Sequence, residues 1–130
     1  MSISIVRLGT PRLPHEGLRI GTVRRPPRGV PKSDFARRDF YDVWLPALSP
    51  TPDLVALALA SRDDARRWKT FERKFRAEMK QPEAAHLLDL LAAFSHQTNF
   101  AVGCYCEDES RCHRSILRQL LAEGGADIRG

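Results

Sequence analysis

The chain lacks any long apolar run. Its most extended one, Leu54 to Ala60, is far short of the roughly twenty residues needed to cross a bilayer, which argues against a membrane protein. The first residues, Met1-Ser-Ile-Ser-Ile-Val, lack the basic start, apolar stretch and cleavage site of a secretory signal, so a cytoplasmic protein is expected. Cysteine is scarce: three residues, all within the span 104 to 112. An odd number so tightly grouped does not read as a disulfide framework. In a reducing compartment, clustered Cys and His more often signal a metal or a reactive thiol. Internal repeats are absent, and no stretch reads as a linker between two domains.

What is present is ordinary globular composition, with 42% apolar and 28% charged residues over 130 positions. One domain covering residues 1–130 is therefore expected, large enough to bury about two-thirds of its unfolded surface. The net charge of +5 favours anionic partners without specifying one.

Alternation of Ile3 and Ile5 with polar neighbours predicts a strand over Ser2–Leu8, and Leu18–Val23 predicts a second. Pro26, Pro27 and Pro31 then impose an exposed basic loop containing Arg24, Arg25, Arg28 and Gly29. Phe35–Leu45 suits either an extended segment or a short helix, with Trp44 expected to be buried. Thr51 as N-cap, Pro52 at the first helical position and Asp53 against the dipole predict a helix to about Ser61. A second helix is predicted from about Asp63 to Lys80, with Trp68, Phe71, Phe75 and Met79 on one face. A third begins at Pro82 and offers Leu87, Leu88, Leu91 and Phe94 to the core. Thr98–Cys104 reads as a strand and Ser110–Glu123 as the last helix, closed by Gly124-Gly125. The order predicts a small layered α/β fold, its short, partly parallel sheet packed with about four helices.

Chemistry concentrates between Gly103 and Arg114. With Ser110 as the expected N-cap, Cys112 and His113 fall in the first helical turn, where the helix field lowers a thiol pKa. Three readings stand side by side. Cys112 or Cys104 is a nucleophilic or redox thiol, with His113 as base and Arg114 holding an anion. Cys104, Cys106, Cys112 and His113 bind zinc, although neighbouring Cys112 and His113 are expected to point to different sides of the helix. Or the cysteines are small buried hydrophobes that need no cofactor. A phosphate-cradling thiolate loop is excluded, because no cysteine here is followed six positions later by an arginine in a glycine-bearing loop. The basic residues of the second helix, interspersed with Glu72 and Glu78, suit a solvated face better than a nucleic-acid surface.

Four stretches together resemble the YeaO-like family, domain of unknown function 488. They are Gly17-Leu-Arg-Ile through Arg24-Arg-Pro-Pro27-Arg28-Gly29, Asp42-Val-Trp44 through Leu54, the Trp68, Phe71, Phe75, Glu78 helix, and Cys104-Tyr-Cys106 through Cys112-His113-Arg114. The last resembles the ending of one branch of that family. The resemblance implies a small α/β domain but no established activity. Open α/β sheets bind ligands beyond the carboxyl ends of their strands. If the second and last strands are parallel neighbours, Arg24, Arg28 and Gly29 face Cys104, Cys112, His113 and Arg114 across one cleft. The expected ligand is a small phosphate- or nucleotide-like anion, with Cys112 and His113 as the candidate catalytic pair. Nucleic acid is the alternative partner and zinc the alternative cofactor.

Overall fold

The computed structural model describes residues 1–130 as five parallel strands and four α-helices. In chain order they are β1 (Ile3–Arg7), β2 (Leu18–Gly21), β3 (Val43–Trp44), α1 (Pro52–Ala60), α2 (Ala65–Met79), α3 (Pro82–Phe94), β4 (Phe100–Cys104), α4 (His113–Glu123) and β5 (Ile128–Arg129). The sheet order is β3-β2-β4-β1-β5, and every pairing is parallel rather than only some. The protein is a small α/β domain.

β4 lies at the centre of the sheet, and all five of its residues are buried. Its mixture of Phe, Ala, Val, Gly and Cys fits a strand covered on both faces. Gly103 lets β1 approach, since a Cβ there would stand 2.6 Å from the Val6 carbonyl oxygen.

On one face the core joins Ile3, Ile20, Phe100 and Val102 to the helices. α2 supplies Trp68, Phe71, Phe75 and Met79, the stripe its spacing predicts. Its cap is Asp64, which accepts from the amides of Arg66 and Arg67, so the helix begins two residues later than expected. α1 does begin at Pro52, but Thr51 donates its hydroxyl to Glu78 and makes no side-chain cap. α3 buries Ala84, Leu88 and Leu91. At about 100° per residue, Leu87 and Phe94 fall on the shoulder of that stripe. Leu87 is accordingly half-buried but still packed against the core, whereas Phe94 is exposed, which corrects the expectation for Phe94.

The opposite face is covered without helices. Arg19, fully buried, donates Nε and Nη2 to Glu16 at 2.8 and 2.9 Å and Nη1 to the carbonyls of Thr10 and Asp39. A bidentate pair with its remaining donors satisfied pins both long loops to the sheet. Arg12 joins them by a two-bond contact to Asp42. The ambiguous stretch before β3 is mostly irregular. Trp44 is 42% exposed rather than buried, its indole donating to the Val23 carbonyl.

Candidate functional site

The parallel pairing of β2 with β4 sends both strand ends the same way. Beyond them lies a smaller apolar cluster of Leu8, Val23, Tyr41, Cys104 and Cys112. Above it opens a cleft of about 890 Å³. The proline loop after β2 supplies Arg24, Arg25, Pro26, Pro27 and Arg28 to its wall. The segment after β4 supplies Tyr105, Cys106, Arg111, Cys112 and His113 opposite, and α1 closes the third side with Val55, Leu59 and, just beyond its end, Arg62.

Two hydrogen bonds set the spacing of the walls. Tyr105 donates its hydroxyl to the Arg25 carbonyl at 2.9 Å, and His113 Nε2 donates to the Thr22 carbonyl at 2.6 Å. A carbonyl can only accept, so His113 carries its proton on Nε2 and keeps the Nδ1 lone pair. Burial lowers the His113 pKa to about 4; the Thr22 bond opposes that shift and Arg114 adds to it. The ring is therefore neutral at pH 7.

Of the expected site residues, Arg24, Arg28, Cys104, Cys112 and His113 share the cleft, whereas Gly29 and Arg114 do not line it. Arg24 directs its guanidinium to the Pro50 and Ser49 carbonyls and so ties the loop to the start of α1. Arg114 is buried beneath the floor and donates Nη2 to the Cys106 carbonyl at 2.5 Å, while its Nε has no partner. Desolvation pulls its pKa below the ordinary arginine value, with Glu109 opposing.

The cysteines depart from expectation in two ways. α4 starts at His113, preceded by a 3-10 turn over Glu109–Arg111, so Cys112 and not Ser110 occupies the N-cap position. Ser110 instead bonds to Asp108, whose carboxylate caps that turn. Cys112 is thus outside the helical turn and can face the same way as His113, its Sγ lying 3.8 Å from Nδ1. Furthermore, the Cys104 and Cys112 sulfurs stand at disulfide distance, 2.50 Å, and Cys106 is the free thiol.

One property of the lining is decisive for its chemistry. Five arginines, Arg24, Arg25, Arg28, Arg62 and Arg111, line the cleft without a single carboxylate. None of the five forms a salt bridge within the chain.

A family profile described as DUF488-N3a, the active DUF488-N3 subclade, matches residues 3–125. The chain belongs to the DUF488 family. Comparison with curated proteins and with solved structures returned no match.

In this DUF488 chain, Arg25, Arg62 and Arg111 are the cleft arginines that sequence reasoning did not assign to ligand binding. Arg62 reads as part of a long basic run, and only the turn after α1 separates it from the solvated face of α2. There Arg67 pairs with Asp64 and Arg76 with Glu123, as a solvated face would. Arg111 stacks over the Trp68 ring at 5.7 Å and donates to the Arg62 carbonyl, which holds the two together. No helix of the chain is long and apolar enough to cross a membrane.

Proposed function

We propose that the cleft beyond β2 and β4 binds a small anionic ligand carrying a phosphate and an apolar or aromatic part, as a nucleotide does. The observation that carries this reading is the set of five arginines that form no salt bridge and have no acid among them. Guanidinium groups with no carboxylate partner are suited to bidentate bonds with phosphate oxygens. Arg25 and Arg28, exposed on the loop, are the phosphate-binding pair, with Arg62 and Arg111 facing them. Arg24, engaged with Ser49 and Pro50, positions the loop. Pro26, Pro27, Phe40, Val55, Leu59 and Tyr105 supply an apolar wall for a planar or sugar-like moiety. Placement at the carboxyl ends of parallel strands supports the same reading.

Calorimetric titration with inorganic phosphate and with a nucleoside monophosphate tests it. Saturable binding that Arg28→Ala and Arg25→Ala each weaken supports the cleft. Tighter binding of the nucleotide than of phosphate supports the apolar wall. Binding unaffected by either substitution, or affinity confined to duplex DNA and falling steeply with salt, would refute it in favour of a basic nucleic-acid surface.

A further inference from the structure

Three sulfurs and an imidazole nitrogen converge beneath the cleft, and the anion reading leaves them unused. The Sγ atoms of Cys104, Cys106 and Cys112 all lie within 4.8 Å of one another. Around one tetrahedral ion with metal–sulfur bonds of ~2.3 Å, ligand sulfurs stand ~3.8 Å apart. His113 Nδ1 is 3.8 Å from Cys112 Sγ, a ligand-to-ligand spacing of the same order. Its other nitrogen donates to the Thr22 carbonyl, the outer support that metal-bound histidines usually have.

Neighbouring groups favour charged sulfur in the same place. The Cys106 amide points at Cys104 Sγ, 3.4 Å away, and Arg62 Nη2 is 3.8 Å from Cys106 Sγ. Arg114 holds the Cys106 carbonyl from below and so fixes the turn that presents this thiol. Simple packing accounts for Cys104 and Cys112, both buried, but not for Cys106, which is partly exposed on the cleft. The Cα atoms of Cys104 and Cys112 are 7.9 Å apart. Cysteines bridged directly usually keep their Cα atoms about 4.4–6.8 Å apart, whereas an ion between the sulfurs widens the span.

We propose that the reduced protein binds one zinc ion through the thiolates of Cys104, Cys106 and Cys112 and Nδ1 of His113. Three thiolates and an imidazole form a soft donor set, suited to zinc over magnesium or calcium. Three thiol protons leave to solvent as the ion binds, so affinity falls with acidity. The site joins the end of β4 to the start of α4, and four protein ligands make it a closed, structural centre. An external two-electron oxidant such as dioxygen or a small-molecule disulfide, taking two electrons and two protons from the Cys104 and Cys112 thiols to form their disulfide, removes two donors and competes with the ion.

Cobalt(II) alone, as a coloured stand-in for zinc, tests this without any cleft ligand. The full chain is reduced until thiol titration counts three free cysteines, and cobalt is added without excess thiol. The expected result is a thiolate-to-cobalt charge-transfer band with the visible bands of a tetrahedral ion, saturating at one ion per chain and bleached by zinc. Cys106→Ser, at a partly exposed position, should keep the wild-type circular dichroism, and it and His113→Gln should each weaken binding by at least roughly tenfold. Reduced wild-type protein that develops no charge-transfer band would overturn the proposal. So would undiminished binding by Cys106→Ser. An unaltered cobalt spectrum in His113→Gln would overturn the imidazole as fourth ligand.

Discussion

His113 and Thr22, ninety-one positions apart, are joined by a 2.6 Å hydrogen bond that fastens the start of α4 to the end of β2. The bond uses a backbone acceptor, so changes in the Thr22 side chain leave it available. His113→Ala orphans a carbonyl and opens a void against Phe75, whose ring packs edge-on to the imidazole at 5.6 Å. A loss of about 1–3 kcal/mol is expected in urea denaturation of the metal-free protein.

Glu16 and Arg19 form the one ion pair whose two side chains are both essentially inaccessible to water. Removing a single partner leaves a buried charge without compensation. Glu16→Gln should therefore destabilise the domain by about 3–5 kcal/mol. Replacing both residues together by apolar ones should cost less than the single change, and a double-mutant cycle measures the difference.

Asp42 predicts a specific acid response. Desolvation raises its pKa, but bonds from Arg12 and from the Arg19 amide outweigh that and bring it below the ordinary value of 3.8. A carboxyl with a depressed folded pKa contributes stability above its unfolded pKa and loses it as pH falls through the lower, folded value. Unfolding free energy of the wild type should therefore drop below about pH 4, and Asp42→Asn should flatten that part of the profile. At neutral pH the same substitution should cost about 1–2 kcal/mol, since the carboxylate is only partly exposed.

Gly21 lies directly against the ring of buried Tyr41, and a Cβ there would overlap it. Tyr41 has no solvent side to swing toward. Gly21→Ala should cost about 1–3 kcal/mol by overpacking, visible as a lower denaturation midpoint with an unchanged slope.

Much of this architecture was legible in the residues. Period-two alternation marked β1 and β2, and aromatic spacing marked the buried stripe of α2. β3 and β5 were not legible, because two residues carry no period and only the neighbouring strand defines them. Phe94 misled because it shares apolar character with Leu91 but sits at the edge of the stripe. At the site, the arginine loop and the Cys-His segment were recognisable as separate motifs. Their juxtaposition depended on β2 and β4 being parallel neighbours, a long-range pairing that local pattern does not encode. The start of α4 was misplaced because Ser110 is a good N-cap by residue type, yet Asp108 engages it in a preceding turn.

The Tyr105–Arg25 bond has a consequence for how this pocket comes into being. One wall leaves the ribosome some eighty residues before the other, as the sequence separation of that pair records. A nascent chain that stops short of β4 holds the proline loop without its Tyr105 partner, so the two-walled pocket exists only once the last quarter of the chain is made. Occupancy would then report completed assembly, and a ligand seated there would hold early and late halves of the polypeptide together against unfolding.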